Sequence, residues 1–218
     1  TVPYNPLTAE KLGGASNVEA LNTQLFGVLK QVLTAFNAGD RINLLSATTS
    51  NSLLIKDESL PNLSAQITAA ASANPQLAPL APILGYLYGQ ARHATSQDLF
   101  VLNASSIIGT PTDDAVLAQV PEPYKSLFAM QGVTYPLVDK FVLTPTEQTE
   151  VNTATDAFNQ VIVGIAAQKD LGVADMNRIM RQLVSGMYAD DGQFYTSKYC
   201  NVFVGWGSSK FTRVCFCS

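Results

Sequence analysis

The sequence is poor in charge, in histidine, in long apolar runs and, outside its last residues, in cysteine and tryptophan. Charged residues make up 14% of the 218, and 13 Lys+Arg against 17 Asp+Glu leave a formal net charge of -4, whereas an ordinary domain is about a quarter charged. Proteins that grip a phosphate backbone need a basic stripe for counterion release. No window here supplies one, which argues against a nucleic-acid partner. A membrane span needs roughly 18 consecutive apolar residues. The most apolar region, Leu77 to Leu87, is cut by Pro79, Pro82 and Gly85, so no membrane span is expected. With His93 as the sole histidine, any Ser-His-Asp relay would pass through it, yet no Gly-x-Ser-x-Gly elbow supplies a nucleophile. Residues 1–199 hold neither Cys nor Trp, while Cys200, Cys215, Cys217 and Trp206 crowd into residues 200–218. Thiols spaced fifteen and two apart match no standard zinc pattern, and neither a metal nor a cofactor is expected. The chain begins at Thr1 without an initiator Met or a basic, apolar leader, and reads as a processed or excised piece.

What is present is organised around Leu143 to Asn177. Thr144, Pro145 and Glu147 place a hydroxyl cap, a first-turn proline and a capping-box carboxylate at the spacings that satisfy a helix's free amides. Val151, Ala154, Phe158, Val161, Ile162 and Ile165 follow at three-and-four spacing, an apolar stripe that must rest on something, with Glu150, Asp156 and Gln160 toward water. Leu171 to Asp175 is too short for another helix and reads as a strand, its carboxyl end carrying Asp175 and Asn177. Asp175 could be a site residue at a strand end, but it is better placed to cap a helix from Met176.

Earlier in the chain, Ser16 to Glu19 forms a second capping box. It opens a helix through Val18, Leu21, Leu25, Leu29, Leu33 and Phe36, with Gly39 as its stop. Ile42 to Leu45 and Ser52 to Ile55 read as two small strands. Asp57 and Glu58 read as first-turn acids of a helix rather than a catalytic pair, because adjacent helical residues point apart. Ile83 to Ala94 has a helical pattern that Arg92 and His93 close as last-turn cations. Asp98 to Leu102 is a short strand; Asp113 to Val120 and Tyr124 to Met130 are short helices split by prolines; Val133 to Leu143 is extended. Asp190 to Gly192 reads as a tight turn between Met187 to Ala189 and Gln193 to Tyr195. It lacks the alternating oxygen ligands of a calcium loop.

Four runs carry a resemblance: Thr-Val-Pro-Tyr-Asn-Pro-Leu at Thr1 to Leu7, Asp-Glu-Ser-Leu at Asp57 to Leu60, Tyr-Gly-Gln-Ala-Arg with Ala-Thr and Asp across Tyr88 to Asp98, and Leu-Thr-Pro-Thr-Glu-Gln at Leu143 to Gln148. Together they resemble SGNH hydrolases, the GDSL-type esterases, in a secreted, Bacteroidetes-like subfamily, over Thr1 to about Tyr199. The resemblance implies an α/β chain that is an incomplete three-layer α/β/α fragment, mainly helical with few short strands. It implies that the Ser, Gly and Asn blocks precede Thr1 and that residues of about 40–143 are a subfamily insertion. On that footing no residue of this chain is catalytic, and none is assigned to substrate.

The family's Asp-x-x-His block belongs where residues 200–218 stand. Permitted synonymous codons for that tail, read one base out of step, spell Val-Thr-Tyr-Ser-Leu-Asp-Gly-Val-His-Pro-Ser-Ser, so residues 200–218 are expected to be an out-of-frame tail. The parent would hydrolyse a small acyl ester or an acylated carbohydrate outside the cytoplasm, and this fragment would be inactive. The alternative is a non-enzymatic extracytoplasmic binding or interaction domain whose Ala- and Asn-rich helices form their own core.

Overall fold

Gly13 and Gly14, both at positive φ, turn the entry segment into the first helix, because a residue without Cβ enters the left-handed region freely. The computed structural model describes residues 7–122, 124–188, 190 and 192–196, with the backbone of 201–202 and 215–216. It is mixed α/β, with short strands in small sheets, and it divides into a first unit ending at Ala154 and a second beginning at Thr155.

Helix α1, Ala15–Leu21, runs through a π-helical segment, Asn22–Phe26, into α2, Gly27–Thr34. The capping box expected at Ser16 and Glu19 does not cap it; Gly14 is the N-cap, without a side-chain bond. Leu21, Leu25, Leu29 and Leu33 are spaced by four, which drifts about 40° per step around an ideal α-helix. The wider π turn takes up drift, and all four leucines stay buried. The stop is Asn37 at φ 56° rather than Gly39. Ala38 N–H donates back to Leu33 O at 2.9 Å, so a left-handed Asn closes the helix two residues early.

Strand β1 is Leu54–Lys56, and no strand forms at Ile42–Leu45. Asp57 and Glu58 do not open a helix. Helix α3 begins at Ser64 instead and runs to Ser72, set by Asn62, whose Oδ1 accepts from Ser64 N at 2.9 Å and Ser64 Oγ at 2.6 Å. Helix α4, Ala81–Tyr88, lies close against α3 because glycine faces the contact. A Cβ on Gly85 would meet Thr68 Oγ1 at 2.0 Å and Ser64 O at 2.6 Å, and one on Gly89 would meet Ser64 Oγ at 2.0 Å.

The helical pattern expected through Ala94 breaks after Tyr88. Ala91–His93 is strand β2, antiparallel to β1, with Leu54 opposite His93 and Ile55 opposite Arg92. Pairing with a distant strand here overrides local period. Strand β3, Leu99–Phe100, pairs antiparallel with β4, Val142–Leu143. Short 3-10 turns at Ala115–Gln119 and Tyr124–Phe128 stand where short helices were expected. One core of buried residues runs from Leu7 to Val142, with Phe26, Leu53, Leu54, Ile55, Tyr88 and Phe128 at its centre.

Helix α5, Pro145–Gln168, starts on the expected box. Glu147 Oε2 accepts from Thr144 N at 2.7 Å and from Thr144 Oγ1 at 2.8 Å. It ends at Asp170 (φ 52°), with Leu171 N–H returning to Ala166 O at 2.9 Å. Its stripe lies in solvent: Phe158 is 69% exposed, Val161 60%, Ile162 55% and Ile165 52%.

In the second unit the strand expected at Leu171–Asp175 does not form. The segment is an irregular link whose first four residues are exposed, and among the described residues no strand pairs with it to complete a ladder. Helix α6, Met176–Ser185, follows. Strand β5, Met187–Tyr188, pairs antiparallel with β6, Phe194–Tyr195, on either side of the turn expected at 190–192, of which residue 191 lies outside the described residues, as does residue 189 of the expected first strand. The tail expectation for residues 200–218 also lies outside them, apart from the backbone pairing of Asn201–Val202 with Cys215–Phe216. Among the described residues no helix is long and apolar enough to cross a membrane.

Candidate functional site

A buried polar cluster of the first unit is built by three residues, two of which, Asp57 and Arg92, the sequence pattern places at helix ends and the third, Asp98, at the start of a strand. Asp57 follows β1 directly, and its N–H donates to Gln90 O at 2.8 Å, which anchors it beside β2. Arg92 is the middle residue of β2, and Asp98 closes the turn that begins at Thr95. Arg92 Nε donates to Asp57 Oδ2 at 2.6 Å; Nη1 and Nη2 donate to Asp98 Oδ2 and Oδ1 at 2.8 and 2.6 Å. The Asp98 side chain is 0% exposed and that of Asp57 5%, so these charges depend on their partners rather than on water.

Every carboxylate oxygen in the cluster is engaged. Asp57 Oδ1 accepts from Ser59 N and Ser59 Oγ, and Asp98 Oδ2 also accepts from Thr95 N and Thr95 Oγ1. Burial works against ionisation of both acids. Ser59 and Arg92 around Asp57, and Arg92 and Thr95 around Asp98, outweigh it and hold both carboxyls below their ordinary range. The two acids in turn hold the Arg92 guanidinium protonated more firmly than usual, against its own burial. A general acid or base needs a proton affinity near the working pH and a free lone pair facing substrate. Both carboxyls are held below the range of such a group, and each of their oxygens already accepts at least one hydrogen bond within the cluster.

His93 sits on β2 with its ring 5.5 Å from that of Phe26. Its Nδ1 accepts from Asn43 N at 3.0 Å. Burial, with the positive charge of Lys30 second, pushes its pKa down to about 4, so the ring is neutral and Nε2 carries the proton. In a Ser-His-Asp relay the Nδ1–H donates to the carboxylate. Here Nδ1 is an acceptor from backbone, the wrong tautomer for that role.

Asp175 does what capping chemistry asks: its Oδ1 accepts from Arg178 N at 2.9 Å at the start of α6. Among the described residues no three of His, Cys, Asp and Glu gather as metal ligands. A cleft of about 530 Å³ opens beside His93 and Arg92 and takes in Arg41, Leu60 and Gln97. Arg41 Nη1 is already held by Pro61 O at 3.1 Å and Gly89 O at 3.3 Å.

The runs that carry the resemblance meet here. Asp57 from one and Arg92, Thr95 and Asp98 from another make the cluster. Leu143 from a third pairs with Leu99, and Gln148 Nε2 donates to Gln97 O at 2.8 Å. Of Thr1 to Leu7 only Leu7 is described, bridged to Asn51. The described residues of these runs take part in an ion cluster, in strand pairing and in helix capping. No family model, no curated protein and no solved structure matches the chain.

Proposed function

We propose that this chain is a C-terminal portion of a secreted SGNH-type (GDSL-type) ester hydrolase, an incomplete three-layer α/β/α unit that supplies scaffold rather than the groups that break the ester. The observation that carries the reading is the exposed stripe of α5. A capped helix with one apolar face gains most of its stability by burying that face, and Phe158, Val161, Ile162 and Ile165 stand more than half exposed. In this reading their cover is the sheet that bears the nucleophile, and the parent acts on acyl esters or acylated carbohydrates outside the cytoplasm. The engaged carboxylates and the wrong-tautomer histidine support the view that this chain alone turns nothing over. Purified chain incubated with p-nitrophenyl acetate or butyrate is expected to show no saturable hydrolysis; clear saturable turnover would overturn the reading. Sequencing the DNA across the codon for Tyr199 tests the out-of-frame tail, which an intact frame in independent reads removes.

A second reading, a non-enzymatic binding or interaction domain, is favoured by the core of the first unit, which closes on its own residues from Leu7 to Val142. Cooperative urea unfolding of the isolated chain supports it, whereas dye-binding, non-cooperative behaviour supports the orphaned-fragment view.

A further inference from the structure

Residues 39–44 are tied to His93 through the one ring nitrogen that acid would protonate. The segment runs between two fixed points. At one end Ala38 N–H closes α2 on Leu33 O at 2.9 Å. At the other the Asn22 side chain grips both backbone groups of Leu45, its Oδ1 accepting from N and its Nδ2 donating to O, each at 2.8 Å. Between these points there is only the 3-10 turn Gly39–Arg41, and Asp40, Asn43 and Leu44 are exposed. The ties that hold the segment down are few. Lys30 Nζ donates to Gly39 O at 3.3 Å and to Ile42 O at 2.8 Å, Arg41 reaches Pro61 O and Gly89 O, the Ile42 side chain is buried, and Asn43 N–H donates to His93 Nδ1 at 3.0 Å.

The last of these does not survive a proton. A neutral imidazole accepts at one nitrogen, whereas an imidazolium donates at both, so a protonated Nδ1 would aim its N–H at the N–H of Asn43. The charged ring would also stand in a site only 6% exposed, beside the Phe26 ring. The charged groups around it are Lys30 on α2, Asp40 and Arg41 in the segment itself, and Arg92 on its own strand with its partners Asp57 and Asp98. Of these it is Lys30 that acts on the ring, and it opposes a second positive charge. Water has a way in: among the described residues Thr134 Oγ1 is the one side-chain polar atom both closed to water and unbonded, so Nε2 of His93, which has no partner either, is reached by solvent.

We propose that acid releases residues 39–44 as a latch: a proton taken up at His93 Nδ1 breaks the bond to Asn43, and the segment swings out about Ala38 and Leu45 while the rest of the first unit stays folded. The open form takes the proton at the ordinary histidine value of 6.5 and the closed form resists it, so opening gains as pH falls below that value. Ala38, Asp40 and Arg41 belong to the wall of the cleft of about 530 Å³, which the release widens. The inference stands on the tie between Asn43 and His93 and holds whether or not the chain derives from an ester hydrolase.

The test is hydrogen exchange of the full chain, read by mass spectrometry from pH 8 to pH 4 and corrected for the intrinsic pH dependence of exchange. Peptides over residues 39–44 are compared with peptides over α3. Protection in 39–44 is expected to be flat down to pH 7 and then to fall about tenfold per pH unit between about pH 6 and 4.5, the slope of one proton, while α3 holds. In His93→Gln, whose amide oxygen still accepts from Asn43 N, the fall should be absent. As the chain's sole histidine, His93 also gives a single imidazole nitrogen signature, expected at pH 7 to be that of the Nε2–H form. An Nδ1–H signature overturns the proposal, as does a fall that persists in His93→Gln. Loss of protection in α3 in step with 39–44 also sinks it, because the unit then opens as a whole. Should His93→Gln not fold, the onset decides alone: a fall that begins near pH 6.5 supports the latch, and one that begins only below pH 4.5 belongs to carboxylates and removes it.

Discussion

Arg92 meets Asp98 through two hydrogen bonds, Nη1 to Oδ2 at 2.8 Å and Nη2 to Oδ1 at 2.6 Å, and spends its remaining Nε on Asp57. One guanidinium therefore neutralises two buried acids from three directions. Arg92→Leu strands both carboxylates, and breaking a buried pair in this way costs about 3–5 kcal/mol. Arg92→Lys should recover only a small part, because one ammonium cannot match a three-point fork. Urea midpoints for the two variants check this, and a lysine variant as stable as the parent would contradict the geometry.

His93 gives stability a pH dependence separate from that of the acids. Its folded pKa of about 4 lies below the ordinary 6.5. Between these values the unfolded chain binds a proton that the folded chain refuses, so stability falls as pH drops from about 6.5 to about 4 and levels off below. Asp57 and Asp98, shifted the other way relative to their charge, lose their contribution only as pH falls through and below the ordinary carboxylate value of 3.8. In His93→Gln, whose amide oxygen can still accept from Asn43 N, the loss between pH 6.5 and 4 should vanish while the acid limb remains. Thermal midpoints across pH 3–8 separate the two.

Thr144 and Glu147 close the start of α5 reciprocally. Thr144→Ala should cost about 1 kcal/mol, the typical loss when a capping hydroxyl is removed. Circular dichroism during urea unfolding reads the change, and an unaltered midpoint would show that the box contributes nothing.

The exposed stripe predicts the opposite pattern. Phe158→Ser and Ile162→Gln remove surface that stands more than half exposed, so stability should move by no more than about 0.5 kcal/mol. Concentration-dependent association should fall, since large exposed apolar patches drive self-contact. Light scattering together with unfolding midpoints decides between this and a stripe that is packed in solution.

The helix at Pro145–Gln168 is legible because its start is written locally, in a box four residues wide. The strand at Ala91–His93 is not. Leu84, Leu87, Tyr88 and Ala91 keep a helical period into its first residue, and the partner that breaks the period lies at Leu54–Lys56, far away in sequence. Strands of two or three residues carry too little alternation to read. The polar cluster is half legible: Asp57, Arg92 and Asp98 each stand out as charges in a charge-poor chain, but their convergence is a product of the β1–β2 and β3–β4 pairings. Thr134 carries no signal at all in the sequence, because only burial distinguishes it from the chain's exposed threonines.

Gly85 and Gly89 present bare hydrogen to α3, and the seam they form has no spare width for even a methyl group. The aliphatic side chains nearby can change by one methylene at a time as sequences diverge, each step small and reversible. These two positions admit no such gradual route, so the spacing between α3 and α4 is inherited whole or lost whole.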